Sequence, residues 1–143
     1  MIRFILLAAL TSYLFGCTSA PISLQDDVAG TRPTEAKLLQ AYKTMNERYF
    51  FNLPVSKTGI SLLDLSKENE MGRITQRYDG TWLIEIDTKT NPTEKQAEMT
   101  LVHESCHQED TVQGKDEGLD GHGEAFQTCM LNKAQDGIFK DLW

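Results

Sequence analysis

NPTEKQAEMTLVHESCHQED, residues 91–110, is the stretch on which the reading of this chain turns. Asn91 can cap a helix, Pro92 suits a first helical position, and Glu94 stands where it completes a capping box. The pattern predicts a helix that runs on through His103-Glu104-Ser105-Cys106-His107, an HExxH. Residues four apart sit one turn apart on one helix face, so His103 and His107 can point at one metal ion. Glu104 is adjacent and can reach a water on that ion as general base. Histidines on an apolar helix are often plain core or surface groups, so the motif alone does not decide. Its placement well inside a helix, beside apolar Leu101 and Val102, favours the metal site.

Zinc catalysis uses three protein ligands and keeps one position open. The remaining histidine is His122, in DGHGEAFQTCM, flanked by Gly121 and Gly123. The glycines predict a tight loop that brings the imidazole to the helix; the plainer reading is a solvated loop histidine. Phe126, Met130 and Ala134 then mark a further helix packing inward. The metzincin pattern needs glycine three residues after the second histidine and histidine three later; those positions hold Asp110 and Gln113. Glu117 or Glu124 would serve a site with a downstream glutamate ligand, but neither accounts for the Gly-His-Gly.

Upstream, TRPTEAKLLQAYKTMNERYF offers Thr31 as a cap and an early Pro33. Leu38, Tyr42, Met45 and Tyr49 recur at helical spacing, so the stretch reads as an amphipathic helix, broken at Pro54. TGISLLDL reads as a strand. GRITQRY and TWLIEID flank Asp79-Gly80, a pair favoured in two-residue hairpin turns because both positions there take positive φ. Trp82, Ile84 and Ile86 alternate with Leu83, Glu85 and Asp87, which predicts one buried strand face.

The N-terminal end has a different character. One positive residue, Arg3, precedes an apolar run from Phe4 to Phe15, too short for a stable membrane span and shaped like a signal peptide. It ends in Leu14-Phe15-Gly16-Cys17, similar to a bacterial lipobox, which would make Cys17 the lipidated first residue. The alternative is an ordinary secretory signal cleaved after Ser19-Ala20. The expected organisation is a signal peptide at 1–16, a lipidated cysteine and tether at 17–32, and one domain at 33–143. Thr18, not aspartate, follows the cysteine, so the expected address is the outer membrane, facing the periplasm. The 143 residues carry a net charge of −7, which repels phosphate backbones and argues against nucleic acid as a partner.

Taken together, these segments resemble the SprT-like family of zinc metalloproteases across roughly residues 34–135. MNERYFFNLP resembles the close of its opening helix and GRITQRY with WLIEID its hairpin. TLVHESCH resembles its active-site helix and GHGEAF its third-ligand motif. The resemblance implies zinc ligation by His103, His107 and His122, with Glu104 as catalytic base of a metalloendopeptidase acting on a protein or peptide. It also implies an α+β, zincin-like fold in which the HExxH helix packs with an N-terminal and a C-terminal helix on a short mixed or antiparallel sheet. The chain ends without the four-cysteine zinc ribbon of many members, and an exported protein does not repair DNA–protein crosslinks; the chemistry carries over and the biological role does not. A non-catalytic zinc-binding or structural envelope lipoprotein is the competing reading. Tyr78 is a possible oxyanion donor, although a tyrosine ending a hairpin strand is usually packing. With Cys17 used by lipid, Cys106 and Cys129 remain. Cys129 lies seven residues past His122, which would put both on one helix face. In an oxidising compartment the cysteines suit a disulfide; two buried thiols, or less readily a cysteine metal ligand, are the alternatives.

Overall fold

The computed structural model describes residues 30–115 and 121–140. The signal peptide, Cys17, most of the tether and Glu117 lie outside them. The first helix, α1, spans Glu35–Met45 and buries Leu38, Tyr42 and Met45, the stripe expected from its spacing. Its cap is Thr34 rather than Thr31: the Thr34 side chain accepts the Lys37 N–H at 3.3 Å. Pro33 disfavours helical backbone at the residue before it, so the helix starts after the proline. Thr31 is used elsewhere; its carbonyl accepts the Glu94 N–H at 2.8 Å. A π-turn over Asn46–Phe50 follows, and Phe51, at φ 67°, closes it by donating its N–H to the Asn46 carbonyl at 2.7 Å.

Three strands form one mixed sheet in the order β1-β3-β2. They are β1 (Thr58–Leu63), β2 (Gly72–Gln76) and β3 (Trp82–Asp87). The central strand β3 runs parallel to β1, with Thr58 opposite Trp82, and antiparallel to β2, with Gly72 opposite Ile86. Trp82, Ile84 and Ile86 are buried, the alternation expected of a strand with one face on a core. The turn at Asp79-Gly80 is not the two-residue type: within the pair only Gly80 has positive φ, at 78°. Gly80 N–H donates to the Arg77 carbonyl at 3.0 Å and Arg77 N–H to the Thr81 carbonyl at 2.8 Å, which makes a longer turn with the glycine in the left-handed position. Asp79 stays out of that region because its carboxylate accepts the Thr81 N–H and hydroxyl at 2.9 and 2.6 Å.

Helix α2 spans Glu94–Val112 and α3 spans Glu124–Gln135. The α2 cap is Thr93, in a capping box with Gln96, not Asn91 with Glu94. Asn91 is fully buried and has another task. Its amide donates to the Met71 and Asp87 carbonyls, each at 2.9 Å, and its oxygen accepts the Thr100 hydroxyl at 2.7 Å. One side chain thus joins the lead into β2, the end of β3 and the middle of α2. Beside it the buried Asp87 carboxylate accepts N–H groups from Leu65 and Thr90, each at 2.7 Å. Burial pushes the Asp87 pKa up, but the hydrogen bonds from Thr90, Leu65 and Lys89 outweigh it and hold the group below the usual carboxylate range.

The core joins Leu38, Tyr42, Phe50, Ile84, Ile86, Leu101, Val102 and Phe126 between helices and sheet. Helix α2 is buried on most sides, since the sheet, α1 and α3 all contact it. On its α1 side Gln108 accepts the Tyr42 hydroxyl and donates to Thr58 Oγ1 at 3.0 Å, so its buried amide is satisfied. Phe126 and Cys129 of α3 face inward with the aliphatic stem of Lys133, whereas Ala134 is exposed, contrary to the inward stripe expected from the sequence. The fold is α+β. Among the described residues no helix is long and apolar enough to cross a membrane.

Candidate metal centre

His103 and His107 project from one face of α2, and their Nε2 atoms are 3.3 Å apart. His122 lies two residues ahead of α3, not within it, so it shares no helix face with Cys129. Gly121 precedes it at φ 69°, a left-handed backbone that glycine adopts at little cost, and Gly123 caps α3. This tight path brings His122 Nε2 to 3.1 Å from His103 Nε2. Among the described residues the three histidines form the group of His, Cys, Asp or Glu side chains close enough to hold a metal ion, with candidate ligand atoms all within 4.8 Å. Glu124, the other described ligand candidate, is exposed in the first turn of α3 and is not in that group.

The spacing suits a cation. Nitrogens about 2.0–2.1 Å from a tetrahedral ion stand roughly 3.3–3.4 Å from one another. An imidazole Nε2 either donates or accepts, so three meeting at one point cannot all be paired by one another; three lone pairs around a cation leave none unsatisfied. His103 is held neutral, as a ligand must be: burial first, and then the charges of His107 and His122, bring its pKa down to about 4.

Phe126 is the floor of the cluster. Its ring stacks on His107 with centroids 4.3 Å apart and meets His103 and His122 edge-on, each at 4.7 Å. The sequence marks Phe126 as a core position; its contact with all three histidines follows only from the arrival of α3 beside α2. That arrival is fixed covalently. Cys106 and Cys129 form a disulfide with Cα atoms 5.8 Å apart, which joins the middle of α2 to the middle of α3. Lys133 ties α3 to the π-turn after α1, donating to the Tyr49 carbonyl at 2.7 Å and lying 4.3 Å over the Phe50 ring, and pairs with Glu109 of α2 at 3.6 Å.

Glu104 is 4% exposed and lines two cavities together with His103 and His122. Burial first, then the nearby negative Glu70, pushes its pKa up to about 8. A cation among the histidines would act the opposite way and favour the carboxylate. Gly72, the first residue of β2, makes the close approach possible. A methyl group added there would stand 2.5 Å from Thr100 Cγ2 and 3.1 Å from Glu104 Oε1. Neither Gly72 nor Glu70 stands out in the sequence as a site residue; a glycine opening a strand is the one signal that a backbone comes close to something. Tyr78, the candidate oxyanion donor, is fully exposed at the hairpin turn and lines neither cavity.

His103, Glu104, His107 and His122 therefore come together in one half-open site, flanked by the edge strand β2. No protein-family model matches the chain, and no curated protein does.

Proposed function

We propose that this chain is a zinc metalloendopeptidase of the SprT-like, minimal zincin kind, exported and anchored to the envelope by lipid on Cys17. The observation that carries the reading is the meeting of three imidazole nitrogens, 3.1 and 3.3 Å apart, beside a buried carboxyl on the same helix. Metal retention alone does not call for Glu104; hydrolysis does. Zinc held by His103, His107 and His122 would supply the Lewis acidity that activates water and polarises a carbonyl.

The chain's own residues do the rest. Glu104 accepts a proton from the attacking water and delivers it to the leaving amine. Phe126 and the disulfide hold the ligand-bearing segments in place, so that little ordering is needed on binding. Strand β2 pairs on one side with β3, and its residues Gly72, Arg73, Ile74 and Gln76 line the cavity that contains the histidines. An extended peptide can add there as a further strand, its backbone carbonyl brought to the site by main-chain hydrogen bonds. Gly72 leaves room for the Glu104 carboxylate between strand and peptide.

The test is Glu104→Ala. General-base catalysis contributes about 10²–10⁴-fold, so the variant is expected to keep its zinc and lose peptide cleavage by at least that factor. Cleavage at the wild-type rate would show that Glu104 is not the base.

A further inference from the structure

Two hollows meet at the histidines, and they differ in chemistry. The first, about 480 Å³, runs along β2 and is mixed, with Arg73, Gln76 and Thr111 beside Ile74 and Trp82. The second, about 530 Å³, lies beyond the other end of Glu104 and is walled by Met71, Met99, Met130 and Phe139. Both are bounded by Glu70, Gly72, His103, Glu104 and His122, so a chain passing over the site enters one as it leaves the other. The apolar hollow falls within the size range of about 300–1,000 Å³ typical of sites that enclose a ligand. Its walls come from three parts of the chain: the lead into β2, helix α2, and α3 with the turn after it.

We infer that the methionine-walled hollow is the subsite that selects substrates, taking one large apolar side chain, leucine, methionine or phenylalanine, immediately beside the cleaved bond. This rests on the metallopeptidase reading. The apolar wall requires an apolar occupant, since a polar side chain placed there would lose water without gaining a partner. Acidic side chains are disfavoured further by Glu70 at the border and by the net charge of −7. Methionine is unbranched and flexible, so three of them adapt to straight, branched or aromatic occupants; the selection is for size and apolarity and not for one shape. The preference is stronger on one side, because the neighbouring hollow along β2 mixes Arg73, Gln76 and Thr111 with Ile74 and Trp82.

The experiment is digestion of a mixed peptide library by the zinc-loaded full-length protein, with mass spectrometry of the residues on both sides of each cut. The expected result is an enrichment of at least about tenfold for Leu, Met or Phe over Ala on one side of the bond, and a smaller one on the other. Met71→Gln and Met99→Gln, on separate segments, should each reduce that enrichment while zinc content stays at the wild-type level. Cleavage with no side-chain preference, or a preference indifferent to both substitutions, would overturn the subsite and leave the peptidase standing. A preference that emerges only after removal of residues 141–143 would assign the hollow to the chain's own terminus and overturn it as well. No cleavage of any library peptide by zinc-loaded protein would bring down the peptidase reading and the subsite with it.

Discussion

Glu104 and His103 are neighbours whose burial acts on them in opposite senses, and the metal-free protein should register both. Glu104 takes its proton in the fold up to about pH 8, against an ordinary value of 4.5. The folded state therefore binds more protons than the unfolded one in that window, and stability falls as pH rises. His103 is neutral in the fold down to about pH 4, against an ordinary 6.5, so there the unfolded state binds more protons and stability rises with pH. The two oppose one another below 6.5; above it only Glu104 remains. Metal-free protein is expected to lose stability between about pH 6.5 and 8, and Glu104→Gln to flatten that slope in denaturant titrations. An unchanged slope in the variant would show that Glu104 is not held protonated. Asp87 has the reverse sign: its folded pKa is depressed, so its contribution is present above the ordinary carboxylate pKa and is lost as the pH falls through the depressed value.

At the scale of elements, the junction between β2 and α2 decides whether the Glu104 carboxyl meets the start of the strand. Asn91 makes that junction with three hydrogen bonds, two of them fully buried. Asn91→Ala is expected to cost about 2–4 kcal/mol of stability by leaving buried polar atoms short of partners, which urea unfolding would measure. A second junction is the disulfide, which closes a segment with a sequence separation of 23. Replacing both Cys106 and Cys129 by serine is expected to lose roughly 3 kcal/mol, by restoring freedom to the unfolded chain. Zinc affinity should weaken as well, because α3 carries Phe126 against the three histidines; equal affinity would mean that the disulfide plays no part in shaping the site.

Across the whole molecule, the parts legible in the sequence are those governed by local periodicity. The stripe of Leu38, Tyr42 and Met45, the alternation of Trp82, Ile84 and Ile86, and the i, i+4 pairing of His103 and His107 need no tertiary information. The helix starts were less legible, because Thr31, Thr34, Asn91 and Thr93 are all competent caps and the choice depends on what else each can bond. Asn91 is drawn into the β2–β3–α2 junction and Thr93 takes the cap. The sheet order was not legible either: parallel pairing of β1 with β3 joins segments separated by the whole of β2 and leaves no local signature. The same holds for Phe126, Gly72 and Glu70, whose roles arise only when α2, α3 and β2 converge.

The most direct test of the central claim is the zinc content of purified protein by elemental analysis, with His122→Ala beside the wild type. One zinc per chain, sharply weakened by the substitution, is the expected result, since His122 supplies the nitrogen 3.1 Å from His103. Wild-type protein that holds no zinc even after incubation with it would contradict the metal centre and leave His103, His107 and His122 as a histidine cluster without catalytic purpose.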